Sequence, residues 1–148
     1  MNAANRTILH VDDDPQITRI VAAQLNAHGY RVAKLHDPLE ALEALDAIMH
    51  SQYRLVLLDI DMPGLNGLDL LRQIKAFDGG IQALMLTGVV SMSAVLQSLR
   101  IGAEACFFKP IEDYGPLLEA VESTFAKIDR WWNTLEELSC RRREGAAV

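Results

Sequence analysis

The sequence predicts an α/β fold in which helices cover both faces of a parallel β-sheet. Five short apolar segments alternate along the chain with segments whose apolar residues recur every three or four positions, as in strands and amphipathic helices. This alternation favours a parallel sheet with right-handed crossovers. Polar residues end or follow four of the apolar segments: Asp12, Asp59, Thr87 and Lys109. Because the carboxyl ends of parallel strands meet at one edge, we expect these side chains to line a crevice there.

Capping and turn residues mark the individual elements. The first helix is predicted to begin at Asp14–Pro15, an N-cap residue followed by proline at the first helical position. A capping-box start at Asp37–Glu40 predicts the second helix. Gly29 and Gly102 stand where helices are expected to stop, and Asp78–Gly80 is typical of a turn. The strands are predicted at Ile8–Val11, Arg31–Leu35, Leu55–Leu58, Gln82–Leu86 and Ala105–Phe108.

Composition limits the classes of protein to consider. The chain has 148 residues, half of them hydrophobic, which suits one domain with a sizeable core and a short appendage. Its net charge of −6 argues against general nucleic-acid binding, which needs a basic surface. No stretch has the build of a signal peptide or reaches membrane-spanning length. The two cysteines, Cys106 and Cys140, lie in unlike contexts, so a cytoplasmic protein without a disulfide framework is expected.

The expected crevice has the chemistry of phosphoryl transfer. Asp12, Asp13 and Asp59 would converge there, and crowded carboxylates either share protons or hold a cation. Oxygen ligands with room for waters suit Mg²⁺. Lys109 adds a positive charge and Thr87 a hydroxyl donor. A carboxylate nucleophile, Mg²⁺, an ammonium group and a hydroxyl are together what transfer of a phosphoryl group to an aspartate requires.

These motifs resemble the receiver domain of two-component response regulators, related to the chemotaxis response regulator. The resemblance covers roughly residues 6–128 and is carried by four separated motifs in order: Asp12–Asp13, Asp59 with the downstream Met-Pro-Gly-x-Asn-Gly, Thr87, and Lys109–Pro110. It implies a flavodoxin-like fold with strand order 2-1-3-4-5. It also implies that a histidine kinase or phosphotransfer protein phosphorylates Asp59.

The resemblance also assigns a role to each site residue. Asp13 and Asp59 would ligate Mg²⁺ directly, together with the backbone carbonyl of Asp61, and Asp12 would act through water. Lys109 would pair with the phosphoryl group and Thr87 would hydrogen-bond to it. The Lys109–Pro110 bond is expected to be cis, a form largely confined to bonds before proline.

One position departs from the family pattern. Receiver domains usually carry Tyr or Phe three residues before the lysine, and this ring changes rotamer when the threonine moves toward the phosphoryl group. This chain has Cys106 there, and Phe107 cannot replace the ring because neighbouring strand residues face opposite sides. Two interpretations stay open: the coupling between Thr87 and position 106 is weakened or rerouted, or Cys106 merely packs in the interior.

Other functional classes fit the same residues less well. An EF-hand loop fails because Pro63 occupies its third ligand position. A haloacid-dehalogenase-like phosphohydrolase also uses an aspartyl nucleophile and Mg²⁺, but its paired acids lie far downstream of the nucleophile, whereas Asp12 and Asp13 lie upstream of Asp59. A receiver-like interaction module that never takes phosphate remains the main alternative. A phosphoacceptor signalling protein, not an enzyme, is therefore expected.

The end of the chain predicts an unusually long helix. From about Asp113 to Ser139, apolar residues recur three and four apart in a heptad-like stripe. Such a helix would run roughly 40 Å and overhang strands of about 20 Å. Exposed apolar surface usually marks an interface, so a homodimer through this helix is predicted, unless the helix kinks and its tryptophans fold back on the domain. The predicted interface residues are Phe125, Ile128, Trp131, Trp132, Leu135 and Leu138.

These elements suggest how the chain is divided. Residues 1–128 are expected to form the receiver domain, and residues 129–148 the helix extension and a short basic tail. No output domain is expected, because too few residues follow the fifth strand for one. The predicted protein is a stand-alone receiver that acts through contacts with a kinase or phosphotransfer protein and a downstream protein target, without nucleic acid or membrane.

Overall fold

A computed structural model describes residues 6–37 and 53–146 of the chain. Its main sheet has five parallel strands, in the order β2 (Arg31–Leu35), β1 (Thr7–Val11), β3 (Leu55–Leu58), β6 (Gln82–Thr87) and β7 (Ala105–Phe108). After β3 comes a hairpin of two short strands, β4 (Asp61–Met62) and β5 (Leu65–Asn66). Since β6 and β7 are the predicted fourth and fifth strands, the predicted order 2-1-3-4-5 is confirmed.

The helices begin and end where local sequence favours it. Asp14 caps helix α1 (Pro15–Ala27) by accepting a hydrogen bond from the Gln16 N–H at 2.9 Å. Gly102 ends helix α3 (Met92–Ile101) in the left-handed conformation that favours glycine. Most of the helix predicted after Asp37 falls in residues 38–52, outside the described part of the chain. The described helices are α1 (Pro15–Ala27), α2 (Gly67–Phe77), α3 (Met92–Ile101) and α4 (Gly115–Ala146).

Two apolar clusters hold the helices against the sheet. One lies between the sheet and the helices α2 and α3, and the other between the sheet and the helices α1 and α4. Every residue of β3 and β6 is buried, as expected for central strands covered on both faces. The central strands that deliver Asp59 and Thr87 are therefore packed on both faces.

The last helix is continuous over 32 residues and runs about 48 Å at 1.5 Å per residue, which confirms the predicted extended C-terminal helix. The assignment of Phe125 and Ile128 to an interface is wrong: they are 1% and 5% exposed and pack into the protomer's own core. Trp132 is partly buried beneath the Arg54 guanidinium, whereas Trp131 is 65% exposed. None of the helices in residues 6–37 and 53–146 has the length and apolarity that crossing a membrane requires.

Candidate functional site

Backbone hydrogen bonds continue the parallel pairing for one residue beyond the ends of three strands, and these residues belong to the predicted site. The N–H of Asp59, directly after β3, donates to the Val11 carbonyl at 3.0 Å, and the N–H of Lys109, directly after β7, donates to the Thr87 carbonyl at 2.9 Å. The N–H of Asp12 likewise donates to the carbonyl that ends β2. These residues therefore leave the sheet from defined positions at its carboxyl edge, as the sequence predicted.

Three carboxylates meet at this edge. Asp12, Asp13 and Asp59 each offer an oxygen, and these oxygens lie within 4.8 Å of one another. Asp12 and Asp59 are buried, while Asp13 is more exposed. Carboxylates this close repel one another when ionised, and burial strengthens the repulsion. The cluster therefore needs positive charge.

Lys109 supplies part of that charge. Its Nζ lies 2.5 Å from Asp12 Oδ2 and 3.1 Å from Asp59 Oδ2. Burial alone would lower the pKa of Lys109, but hydrogen bonds and charges from Asp12 and Asp59 outweigh it and raise that pKa. Burial, aided by the charge on Asp12, raises the pKa of Asp59 against the opposing effect of Lys109. Asp59 is thus a destabilised carboxylate, which suits a nucleophile.

The site fits a magnesium ion. Lys109 approaches the Oδ2 atoms of both Asp12 and Asp59, while the buried Asp59 Oδ1 has no hydrogen-bond partner. One ammonium group beside three carboxylates leaves negative charge in excess, and buried oxygens without partners are costly. Carboxylate oxygens in a partly open site are the ligands that Mg²⁺ prefers.

A cleft of about 400 Å³ opens above Asp59. Thr87, the last residue of β6, is buried, and its Oγ1 accepts a hydrogen bond from the Val89 N–H at 3.0 Å. Because this bond uses the hydroxyl as an acceptor, its proton stays available for donation. The cleft is lined by Asp13, Asp14, Asp59, Asp61, Gly88, Val89 and Lys109.

Cys106 lies away from the cleft. It pairs with Met85 in the β6–β7 register and packs against the cluster on the side of α2 and α3. Phe107 packs against the opposite cluster, which confirms that it cannot replace a ring at position 106. Burial raises the pKa of the Cys106 thiol, which disfavours the thiolate form that nucleophilic attack requires.

Gly67 belongs to the motif that follows Asp59, and the structure gives it a role that the motif alone does not predict. A Cβ atom at Gly67 would lie 1.8 Å from the Asp59 carbonyl oxygen and 2.8 Å from the Ile60 Cα. The Gly67 N–H also donates to the Ile60 carbonyl at 2.7 Å. The first residue of α2 therefore rests directly on the backbone that carries Asp59, and only glycine allows this approach.

His10 was also missed as a neighbour of the site. It is fully buried, neither ring nitrogen has a hydrogen-bond partner, and Nε2 lies 3.9 Å from Asp12 Oδ2. Burial, then the charges of Lys109 and His36, lowers the pKa of His10 to about 3, so the imidazole is neutral at pH 7. The signal was available: residues 10 and 12 face the same side of a strand, since side chains alternate.

Comparison with known proteins identifies relatives of this chain. A family model described as the response regulator receiver domain matches residues 8–122. The transcriptional regulatory protein YkoG of Bacillus subtilis is 37% identical over 105 residues, which cover 71% of this chain and 45% of YkoG. This chain therefore spans about half the length of that relative. Sporulation initiation phosphotransferase F of the same organism is 31% identical over 108 residues, which cover 73% of this chain and 85% of the phosphotransferase.

Solved structures of related proteins have the same fold. The crystal structure of the response regulator TrrA of Thermotoga maritima in complex with Mg²⁺–BeF superposes with a TM-score of 0.70 at 28% sequence identity. The match covers 80% of this chain and 98% of that one. The predicted flavodoxin-like receiver fold is confirmed.

Proposed function

The chain belongs to the family of response regulator receiver domains, and on that basis we propose that a histidine kinase or phosphotransfer protein phosphorylates it on Asp59. One observation carries this proposal. Asp59 is buried with Oδ2 held by Lys109 and with Oδ1 free of hydrogen bonds, beside two further carboxylates. A carboxylate kept destabilised at the floor of an open cleft is suited to attack an incoming phosphorus atom.

Phosphoryl transfer to Asp59 makes one bond and breaks one, and the other site residues contribute charge and position. A carboxylate oxygen of Asp59 forms the new P–O bond as the P–N bond to the donor histidine breaks, and the histidine leaves with the electron pair. The Lys109 ammonium and the Thr87 hydroxyl are placed to meet the charge on the phosphoryl oxygens. Asp12, Asp13, Asp59 and the Asp61 carbonyl would hold Mg²⁺, which supplies further neutralisation of that charge when bound.

A signalling role through protein contacts follows from this assignment. The phosphorylated site would alter the affinity of the surrounding surface for a downstream protein, without steady turnover of a substrate. The likeness to sporulation initiation phosphotransferase F, of which the matched region spans 85%, supports a relay role. The likeness to transcriptional regulators extends over about half of their length.

Phosphorylation is tested with a small donor. The protein is incubated with Mg²⁺ and acetyl phosphate, and its intact mass is measured. We expect a labile gain of one phosphoryl group that is absent with EDTA and in Asp59→Asn. Asp69→Asn is the matched control, because Asp69 is an exposed carboxylate on α2 paired with Arg72.

The alternatives give different results in the same assay. Absence of any gain in the wild type would favour an interaction module that never takes phosphate. A gain in mass that persists in Asp59→Asn would mean that another residue accepts the phosphoryl group. Continuous release of phosphate at a catalytic rate would favour the phosphohydrolase.

We further propose that two copies associate through the exposed end of α4. Trp131, Leu135 and Leu138 are exposed and recur four and three residues apart, so they form one stripe on the helix. The stripe lies beyond the buried part of the helix, whose apolar residues pack inside the protomer. An antiparallel or parallel pair of such stripes would remove them from water.

Sedimentation velocity at micromolar concentration tests the association. We expect a dimer for the wild type and a monomer for Leu135→Glu, because a charge buried at the centre of the stripe is strongly unfavourable. Asn133→Glu introduces the same charge on the opposite side of α4 and should leave the dimer intact. Circular dichroism checks that α4 stays helical. A monomeric wild type, or a dimer that survives Leu135→Glu, would contradict the proposal.

A further inference from the structure

A second cleft, of about 620 Å³, opens at the opposite edge of the sheet from Asp59. Residues near the amino ends of the strands line its floor: Arg54 precedes β3, Gln82 begins β6 and Glu104 precedes β7. Its size lies in the range of small-molecule sites, about 300–1,000 Å³. None of its lining residues belongs to the phosphoacceptor site.

The extension of α4 forms the apolar wall of this cleft. The wall consists of Ile128, Trp131, Trp132 and Leu135, and these include both tryptophans of the chain. Indole rings offer a large flat surface on which an aromatic or other planar group stacks favourably. The wall therefore suits a ligand with a flat apolar body.

The lining of the cleft has more positive than negative side chains. Two cations are paired: Arg54 with Asp78 at 2.7 Å and Lys127 with Glu104 at 2.6 Å. Lys75, on the last turn of α2, is the third cation in the lining. Its Nζ donates to the Gly79 carbonyl at 3.5 Å, and within the described ranges no carboxylate lies within 4.0 Å of it. It is partly buried, and burial lowers the pKa of Lys75 against the opposing charges of Glu104 and Asp78. The cleft thus carries one positive charge in excess, on a protein whose net charge is −6.

We propose that this cleft binds a small organic anion with an aromatic body, such as an aromatic carboxylate. The anionic group pairs with Lys75 and the ring packs against the exposed Trp131 indole, because the Arg54 guanidinium already lies over the Trp132 ring. A carboxylate or sulfonate at Lys75 gives a partly desolvated ammonium group, whose hydrogen bond to the Gly79 carbonyl is 3.5 Å long, a partner of opposite charge. The site is independent of phosphorylation on Asp59, so either proposal can fail without the other.

The tryptophans make the test direct. Anilinonaphthalene sulfonate, an aromatic anion, is titrated into the full chain while energy transfer from tryptophan is recorded. We expect one probe per protomer and a dissociation constant about tenfold weaker in Lys75→Met and Lys75→Gln, which remove the charge. N-phenylnaphthylamine, which lacks the sulfonate, should bind wild type and Lys75→Met equally. Lys34→Met, at an exposed lysine of β2, should change neither affinity.

Three outcomes would overturn the proposal. Unchanged sulfonate affinity in both Lys75 variants would mean that Lys75 serves only the carboxyl end of α2. Several probes per protomer would mean adsorption to exposed apolar surface. Because the cleft shares Trp131 and Leu135 with the proposed dimer surface, sedimentation is recorded on the same samples. Loss of probe binding as the dimer forms would make the cleft a contact between copies.

Discussion

Lys109→Met is expected to lower the free energy of unfolding by about 3 kcal/mol at pH 7 without divalent cations. Methionine keeps the length of the side chain but removes the ammonium that lies 2.5 Å from Asp12 and 3.1 Å from Asp59. Both carboxylates are buried, so the variant leaves two like charges close together without a counter-charge. Burying a charge unpaired is one of the few ways in which a single substitution has an effect of this size.

The loss of stability should depend on pH, with a defined sign. The pKa of Asp59 is already raised by burial, and Lys109 opposes that rise, so its removal raises the pKa further. A carboxyl group whose pKa is higher in the folded than in the unfolded state binds more protons when folded. Folding of the variant is therefore favoured as the pH falls toward that raised pKa. The difference from wild type should be largest at neutral pH and shrink in mild acid.

Urea unfolding in EDTA at pH 7 and pH 5 measures this difference. The pKa of Lys109 is raised in the wild type, so the stabilisation by its charge persists from pH 5 to pH 7. It declines only when the pH rises above the pKa of lysine in the unfolded chain. Lys34→Met, an exposed lysine replaced in the same way, should leave unfolding unchanged at both pH values. Equal destabilisation of Lys109→Met at both pH values would contradict an electrostatic origin.

The site was predictable because the rules that place it are local. An apolar strand that ends on a polar residue can be identified within a few positions, and parallel topology then brings those ends together. Asp12, Asp59 and Lys109 accordingly lie together as expected. Asp14 was likewise predictable, because an N-cap depends on the backbone of the same turn.

Features of the last helix needed information that its sequence pattern does not contain. A stripe of residues three and four apart has the same period whether it packs on its own sheet or lies in water, so Phe125 and Leu135 could not be told apart. The helix also runs to Ala146, beyond the predicted end near Ser139. Glu137 pairs with Arg141 one turn later at 2.7 Å, and such a pair favours continuation of an exposed helix.

Close approaches between distant backbone segments are equally hidden from the sequence. The motif around Gly67 was visible, but the distance of the helix start from Asp59 depends on how the β4–β5 hairpin folds back. The second cleft, at the edge of the sheet opposite Asp59, exists because α4 passes beside the starts of three strands. Both follow from the packing of the whole domain and not from any local signal.

Gly67→Ala is expected to be the most disruptive single-methyl change at the site, lowering the free energy of unfolding by about 3 kcal/mol or more. The new Cβ would meet the Asp59 carbonyl oxygen at 1.8 Å and the Ile60 Cα at 2.8 Å. Both are backbone atoms of a buried segment, so no flexible side chain can move aside, and α2 must shift away from β3. This shift would displace Asp59 from Lys109.

Gly88→Ala is the matched control for this prediction. Gly88 lies at the same edge of the sheet, but a Cβ there meets nothing within 4 Å. Its unfolding free energy should change by less than about 1 kcal/mol. Urea unfolding and phosphoryl gain from acetyl phosphate are measured on both variants. Gly67→Ala should lose stability and accept phosphate more slowly, because an in-line attack tolerates little displacement of the nucleophile. Wild-type stability in Gly67→Ala would show that α2 can move at no cost, and that the close backbone approach does not position Asp59.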